Sequence, residues 1–184
     1  MIVGLNGYAT CGKDEVAKII QMLDTGWKIK KFSRKLKAVS SLLTGLPEFL
    51  FEEQDFKKTL LGKEWDNISV RDFLQRLGTD AIRNNIHPNA WVNALMSEYK
   101  PIDDRMSSSY PNWIITDCRF PNEAEAIKDR NGIVVRINRP GVGPVNNHYS
   151  EVALDGWDFD FIINNAGDIN FLTKSVEELI KMKL

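Results

Sequence analysis

The chain has 184 residues, of which 43% are hydrophobic and 10% aromatic, and its formal net charge is −1. This length and composition favour one globular domain with a substantial core, and the near-neutral charge argues against a nucleic-acid partner. No stretch approaches the roughly 20 apolar residues of a membrane span, and the first residues lack the pattern of a signal peptide. Two cysteines without zinc-type spacing indicate a reducing compartment, so a cytoplasmic location is expected.

The first predicted strand, residues 2–6, leads into a loop with two glycines and a lysine. Residues 7–14 read Gly-Tyr-Ala-Thr-Cys-Gly-Lys-Asp, the pattern of a phosphate-binding loop except at its last position, where Asp14 replaces Ser or Thr. Glycines allow backbone N–H groups to surround a polyphosphate, and the helix predicted from residue 13 to about 25 adds the positive end of its dipole. The alternative is a strand–turn–helix connection whose glycines serve only the turn. The residues expected to bind ATP are Gly7, Ala9, Thr10, Cys11, Gly12, Lys13 and Asp14.

Strands and helices alternate along the rest of the chain. Further strands are predicted at residues 27–32, 113–116, 133–137 and 159–163. Helices are predicted at residues 33–43, from Ser69, after Pro88, at 121–131 and at 169–184, with an irregular stretch at 48–68 and a surface loop at 107–111. Apolar strands that alternate with helices predict an α/β fold with a wound, largely parallel sheet. We expect residues 1–184 to form one domain with a helical insertion at 45–110.

A second group of polar residues follows the strand predicted at 113–116. Residues 117–123 read Asp-Cys-Arg-Phe-Pro-Asn-Glu. Phosphate-loop enzymes place a Mg²⁺-organising carboxylate at such a strand end, and the planar guanidinium of an arginine suits a phosphate. We therefore expect Asp117, together with Asp14, to hold Mg²⁺ and Arg119 to bind phosphate. The alternative is that Asp117 caps the next helix while Arg119 pairs with Glu123 on a solvated face.

The predicted insertion carries polar residues at helical spacing. Arg71 and Gln75 lie at i and i+4 on one helix face, with Arg83 two turns further along. Such a face suits an acceptor phosphate and the edge of a base, although a plain surface helix with polar pairs is the alternative. Lys37, in the helix after the second strand, is expected near the nucleotide edge; the alternative is that it belongs to a solvated basic face with Arg34 and Lys35.

Two arginines surround the end of the strand predicted at 133–137. Arg136 is expected to assist ATP binding, and Arg139 to close over the transferring group at the start of a loop rich in proline and glycine. Phosphoryl transfer needs such cations and a lid that excludes water. An ordinary surface loop is the alternative. In the same segment His148 is expected to be a hydrogen-bonding lid residue, and Glu151 to hold a lid arginine.

Together these motifs resemble the phage-type deoxynucleoside monophosphate kinases, over nearly the whole chain. The residues that carry the resemblance are 7–14, 117–123, Arg136, Arg139, His148-Tyr149-Ser150-Glu151, and Arg71, Gln75, Gly78 and Arg83. The resemblance implies a three-layer P-loop nucleoside-monophosphate-kinase-like fold, with a mostly parallel five-stranded sheet, the inserted helical region and a lid at 139–156.

The same resemblance implies a function: transfer of the ATP γ-phosphoryl group, with Mg²⁺, to a deoxynucleoside 5′-monophosphate. It implies catalytic roles for Lys13, Asp117, Arg119 and Arg139. The implied substrate contacts are Lys37, Arg71, Gln75, Arg83, Arg119, Phe120, Glu123, Ser150 and Glu151. A homodimer is a reasonable expectation, as is the host cytoplasm if the protein is viral, and no nucleic-acid or membrane partner is expected.

Two other functions fit the same residues. Phosphomevalonate kinase also carries Gly-Lys-Asp, so a kinase of another small phosphorylated acceptor is one alternative. A non-catalytic nucleotide-binding protein is the other. The number of arginines at the predicted sheet edge argues against it, because binding ATP alone does not require a second phosphate site.

Overall fold

The computed structural model describes residues 1–104, 107–144 and 149–183. Its strands, in chain order, are β1 (Ile2–Asn6), β2 (Trp27–Lys30), β3 (Ile102–Asp104), β4 (Ser107–Ser109), β5 (Asn112–Ile115), β6 (Ile133–Asn138) and β7 (Phe161–Asn164). Its α-helices are α1 (Lys13–Leu23), α2 (Arg34–Thr44), α3 (Val70–Gln75), α4 (Ala90–Met96), α5 (Pro121–Lys128), α6 (Tyr149–Val152) and α7 (Ile169–Lys183).

Within the described residues, five strands form a parallel sheet in the order β2-β5-β1-β6-β7. The central strand β1 is buried along its whole length, as a strand covered on both faces requires. From β1 the sheet extends to β5 on one side and to β6 on the other, so the loops that follow these three strands meet at one edge. The prediction of an α/β fold with a mostly parallel five-stranded sheet is confirmed.

Helices cover both faces of this sheet. On one face α1 and α7 contribute Val16, Ile20, Val176 and Leu179 to a core shared with Val3, Leu5, Ile114, Val135 and Ile137. On the other face α5 packs so closely that a Cβ atom at Gly4 in β1 would lie 2.5 Å from Ile127 Cδ1. These contacts give the three layers that the resemblance implied.

The chain divides into two compact units, Met1–Lys31 with Met96–Leu184, and Phe32–Leu95. The second unit contains α2, three short 3₁₀-helices, α3, a π-helical segment at Arg76–Arg83 and most of α4. Phe51 is fully buried in it, and the Trp91 indole N–H donates to the Gly78 carbonyl at 2.9 Å. The insertion predicted at 45–110 overlaps this unit but has different bounds. That prediction of domain organisation stays a prediction.

One element was predicted wrongly. Residues 107–111 were expected to be a surface loop, but Ser107–Ser109 form β4, which pairs with β3 in an antiparallel hairpin. The prediction relied on serine and proline as loop formers, whereas strand pairing uses backbone groups that every residue except proline offers in full. Among the described residues, no helix is both long and apolar enough to cross a membrane.

Asp160, just before β7, connects three elements of the first unit. Its Oδ1 accepts a hydrogen bond from Lys128 Nζ at the end of α5 (2.5 Å), and its Oδ2 accepts one from the Val134 N–H in β6 (2.8 Å). Partial burial acts to raise the pKa of Asp160. The two hydrogen bonds and the lysine charge outweigh that effect, so its pKa lies below the ordinary 3.8.

We expect Asp160→Asn to lower the free energy of unfolding by about 1 kcal/mol at neutral pH, because a charged acceptor is lost. A carboxyl whose pKa is lower in the folded state stabilises the protein above its unfolded pKa, and this stabilisation is lost as pH falls through the folded value. Denaturant titrations of both proteins at neutral and acid pH should therefore converge at acid pH. The exposed neighbour Asp158→Asn is the control. A difference between wild type and Asp160→Asn that does not change with pH would contradict the expectation.

Candidate active site

The loop after β1 has a backbone that only glycine permits at two positions. Gly7 and Gly12 have φ angles of +147° and +109°. A Cβ atom at Gly7 would lie 2.5 Å from the Ile137 carbonyl oxygen, and one at Gly12 would lie 2.6 Å from Asn165 Nδ2. Both the torsion angle and the available space therefore require glycine. The turn opens directly onto the N-terminus of α1, so its N–H groups and the helix dipole can serve an anion.

Lys13 is held on the backbone of this loop. Its Nζ donates to the carbonyl oxygens of Gly7 and Tyr8, each at 2.7 Å, and lies 3.7 Å from Cys11 Sγ. Because sulfur is a weak acceptor, a phosphate oxygen is a better partner for the third N–H of the ammonium. Burial lowers the pKa of Lys13 below its ordinary value, and the positive charge of Arg119 acts in the same direction.

Arg119 follows β5, and hydrogen bonds hold both its backbone and its side chain. Its backbone N–H and that of Phe120 donate to Glu123 Oε2, at 2.7 and 3.1 Å, which caps the start of α5. Its guanidinium Nη1 pairs with Glu151 Oε1 at 2.9 Å. The Arg119 side chain is 43% exposed and that of Glu151 only 5%. Glu151 was predicted to hold an arginine of the lid at 139–156; its partner in the structure is Arg119, which lies outside that segment, and the predicted role stays a prediction.

Glu123 is 1% exposed. Its assignment to substrate binding stays a prediction, and its burial does not support it. The sequence pattern could not separate a substrate ligand from a helix cap, because a carboxylate at the third position of a helix can serve either use.

Arg136 lies at the centre of a cluster that connects the ends of β1 and β6. Its Nη1 donates to Asn6 Oδ1 at 2.6 Å and pairs with Asp155 Oδ1 at 3.1 Å. Its guanidinium carbon lies 4.7 Å from the centre of the Tyr8 ring. The Tyr8 hydroxyl donates to Asp155 Oδ2 at 2.8 Å, and this bond is the main reason why the pKa of Tyr8 is raised.

This cluster includes residues that sequence reasoning missed. Tyr8 occupies a variable position of the loop pattern, and Asp155 and Asn165 belong to no motif. Asn165 Nδ2 donates to the Cys11 carbonyl at 2.9 Å, and Arg139 Nη1 approaches the Thr10 carbonyl at 3.4 Å. The loop is therefore supported from outside by residues more than 120 positions away. In the sequence, the only indication of these contacts was the expectation that polar residues gather at one edge of the sheet.

The two carboxylates predicted to hold Mg²⁺ lie in this part of the fold. Asp14 is exposed at the start of α1, with Lys31 Nζ 3.9 Å from its Oδ1, and Asp117 is half-buried just after β5. In the described parts of the chain, no cluster of three or more His, Cys, Asp or Glu side chains could enclose a metal ion. Magnesium in phosphoryl-transfer enzymes takes one or two carboxylates plus phosphate and water, so these residues fit that ion.

The other predicted substrate residues fall in two places. Phe120 and Ser150 lie in the first unit, where the Phe120 ring is 5.9 Å from that of Tyr149. Lys37, Arg71, Gln75 and Arg83 lie in the second unit. Lys37 is buried there and pairs with Glu52 at 2.5 Å. His148, and residues 145–148 of the predicted lid, lie outside the described residues.

Comparisons with known proteins identify relatives of this chain. A model of the deoxynucleotide monophosphate kinase family matches residues 18–176. The chain is 32% identical to the deoxynucleotide monophosphate kinase of Enterobacteria phage T4 over 117 residues, which are 64% of this chain and 47% of that protein. It is 27% identical to the kinase of the same name from Escherichia phage RB69 over 116 residues, 63% of this chain and 46% of that one.

A third relative is a protein of Acanthamoeba polyphaga mimivirus that bears the same name provisionally. It is 31% identical over 163 residues, which cover 84% of this chain and 82% of the mimivirus protein. The chain thus spans about half the length of the two phage relatives but most of the mimivirus one.

A double-mutant cycle tests the contact between Tyr8 and Asp155. We expect Tyr8→Phe to lower the free energy of unfolding by about 0.5–1 kcal/mol, because one partly exposed hydrogen bond is lost. Asp155→Asn should lower it by more, because it weakens that bond and also the ion pair with Arg136. The double variant should lose less than the sum of the two single effects, since both remove the same bond. Denaturant unfolding provides the measurement. Strictly additive losses would show that the hydroxyl and the carboxylate are not coupled.

Proposed function

The chain belongs to the deoxynucleotide monophosphate kinase family, and on that basis we propose that it transfers the γ-phosphoryl group of ATP to a deoxynucleoside 5′-monophosphate. The products are ADP and the deoxynucleoside diphosphate. The observation that supports this proposal most is the juxtaposition at one sheet edge of the glycine-curved loop, Lys13 and Arg119. Such an edge offers cations both to a polyphosphate and to a group in transfer.

On the ATP side, the N–H groups of residues 7–13 would surround the β- and γ-phosphates. Lys13, already fixed by two backbone carbonyls, would place its third N–H on their oxygens. Mg²⁺, when bound, would neutralise phosphate charge, and Asp14 and Asp117 would hold it, directly or through water. The family membership implies the use of a nucleotide; the roles of these residues in binding ATP and Mg²⁺ are part of our proposal.

On the catalytic side, the described geometry favours positioning and charge over proton transfer. A phosphate acceptor is already ionised, so no general base is required, and alignment of the two phosphates accounts for most of the rate. Arg119 offers its remaining N–H groups to the transferring group while Glu151 holds Nη1. Arg139, which approaches the phosphate loop at Thr10, would add a second cation.

Arg136 has a different role in this proposal from the one predicted. Its side chain is only 11% exposed, and Asn6, Asp155 and the Tyr8 ring already surround it. We therefore assign it to holding the phosphate loop in shape rather than to contact with ATP. The acceptor is assigned to the helical unit, through Arg71, Gln75 and Arg83. Lys37 stays a predicted contact, as does assembly into a homodimer.

The test is ADP release from ATP, measured with each common deoxynucleoside and ribonucleoside monophosphate and with phosphomevalonate. We expect turnover with at least one deoxynucleoside monophosphate, and we expect Lys13→Ala to lower kcat/KM by about 10³-fold or more, because the charge on the outer phosphates is lost. Lys18→Ala is the matched control, since Lys18 lies on α1 with a 64% exposed side chain. Circular dichroism confirms that both variants fold.

Three outcomes would overturn the proposal. Phosphomevalonate as the only acceptor would identify a different kinase. ATP binding without turnover for every acceptor would identify a non-catalytic nucleotide-binding protein. Wild-type activity in Lys13→Ala would show that the loop is not the phosphate site.

A further inference from the structure

The two carbonyls that hold Lys13 flank a single residue of the phosphate-binding loop, Tyr8. The Gly7 carbonyl belongs to the peptide unit before the Tyr8 Cα atom and the Tyr8 carbonyl to the unit after it, and both accept from Lys13 Nζ at 2.7 Å. Because each peptide unit is planar, the relative direction of the two carbonyls changes mainly through the φ and ψ torsions of Tyr8. The conformation of Tyr8 therefore determines where the Lys13 ammonium lies.

The side chains next to Tyr8 do little to fix this part of the loop. Gly7 has a φ of +147°, which glycine adopts freely, and it has no side chain. The Ala9 methyl group cannot form a hydrogen bond, and the Thr10 hydroxyl donates to the Ala9 carbonyl at 2.6 Å, within the loop. Tyr8 has the longest side chain of residues 7–10 and is therefore best placed to connect this part of the loop to the rest of the fold.

Asp155 and Arg136 hold the Tyr8 side chain at its far end. The Tyr8 hydroxyl donates to Asp155 Oδ2 at 2.8 Å, and Asp155 Oδ1 lies 3.1 Å from Arg136 Nη1. The guanidinium carbon of Arg136 lies 4.7 Å from the centre of the Tyr8 ring, so the cation contacts the ring. Each of the three side chains thus touches the other two, and Asp155 uses one oxygen atom for each partner.

Asp155 and Arg136 have supports of their own in the fold. Arg136 Nη1 also donates to Asn6 Oδ1 in β1 at 2.6 Å. Asp155 directly follows Leu154, which is buried, and its N–H donates to the carbonyl three residues earlier at 3.0 Å. The carboxylate is therefore fixed independently of Tyr8, so it can restrict the tyrosine rather than follow it.

We propose that Asp155 is a positioning residue for phosphoryl transfer and that it acts on Lys13 through Tyr8. This inference rests on the proposed function, in which the Lys13 ammonium binds the outer phosphates of ATP. With the Tyr8 side chain held at its hydroxyl, the Gly7 and Tyr8 carbonyls stay directed at Lys13 Nζ, and the third N–H of the ammonium keeps one direction. A cation that is already oriented needs no rearrangement when the phosphates bind, and this is how preorganised groups accelerate a reaction.

The kinetic experiment removes the Tyr8 hydroxyl or the Asp155 carboxylate and compares each variant with a matched change elsewhere. The variants are Tyr8→Phe and Asp155→Ala, singly and together, and the controls are Tyr110→Phe and Asp158→Ala, at two exposed residues. For each protein, kcat and the KM values for ATP and for the best deoxynucleoside monophosphate are measured, together with the melting temperature. We expect each single variant to lower kcat/KM for ATP by about tenfold, because a small displacement of an aligned group has an effect of this order. The KM for the monophosphate should change by less than about twofold, and the controls should match wild type.

The double variant and Asp155→Asn show whether Asp155 acts through Tyr8. We expect the double variant to lose no more than the larger single effect, since both changes break the same connection to Lys13. Asp155→Asn keeps an oxygen that can accept from the Tyr8 hydroxyl, so it should retain more activity than Asp155→Ala. Losses that multiply in the double variant would show that the two side chains act separately, and this would overturn the inference.

A binding experiment tests the connection to Lys13 without turnover. The dissociation constant for ATP in the presence of Mg²⁺ is measured by isothermal titration calorimetry in wild type, Tyr8→Phe, Lys13→Ala and the variant that combines these two changes. We expect Tyr8→Phe to raise this constant by about fivefold in the wild-type background and by less than about twofold in the Lys13→Ala background, because the hydroxyl acts through the ammonium. An equal increase in both backgrounds would overturn the inference.

These outcomes are distinct from a failure of the proposed function. If wild type phosphorylates a deoxynucleoside monophosphate but Tyr8→Phe behaves as wild type, this inference fails and the function stands. The same holds if the variants raise the KM for the monophosphate as much as the KM for ATP, because a general loss of structure would do so. If wild type phosphorylates no monophosphate, both proposals fail.

Discussion

The curved backbone of residues 7–13 is the constraint on which the site depends. Its shape requires glycine at positions 7 and 12, because the Ile137 carbonyl and the Asn165 side-chain amide occupy the space that a Cβ atom would need. Both neighbours come from the same side of β1 in the sheet, because Ile137 lies in β6 and Asn165 directly follows β7. The loop is thus held from outside, and Lys13 is positioned because the carbonyls of Gly7 and Tyr8 are fixed.

The second constraint is the concentration of positive charge at this edge. Lys13, Arg119 and Arg136 repel one another when no anion is present, and the lowered pKa of Lys13 reflects both its burial and the charge of Arg119. The segment that begins with α6 supplies two compensating carboxylates, Glu151 on Arg119 and Asp155 on Arg136. Under the proposed function, an incoming phosphate binds the N–H groups of Arg119 that Glu151 leaves open, and the better enclosed Arg136 stays in place.

In the helical unit, the positions of the polar side chains depend on the local backbone geometry as well as on the residue types. The helix that begins at Val70 changes from α- to π-helical geometry after Gln75, and the angular spacing of its side chains changes there. The change is stabilised at Gly78, where α2 and Trp91 make close contacts. No residue pattern predicts a π-helical turn. The sequence therefore indicated that Arg83 lies two turns after Gln75, but not on which face of the helix.

The sequence by itself determined the five strands of the sheet and the helices that alternate with them, the parallel α/β fold, the glycine-containing loop before Lys13, and the polar residues at the ends of β5 and β6. These features depend on patterns within about ten consecutive residues, so each can be predicted from its own segment of the sequence. The sequence did not reveal the β3–β4 hairpin or the π-helical segment. The tertiary structure alone decided what each polar group touches. It paired the Arg119 guanidinium with Glu151 and left Glu123 to the Arg119 backbone N–H, enclosed Arg136, buried Lys37 against Glu52, and brought Tyr8, Asp155 and Asn165 to the site. The physical reason is sequence distance, because Asn165 meets Cys11 across 154 positions and Tyr8 meets Asp155 across 147. Only the packing of the helices on the five-stranded sheet brings such distant residues into contact.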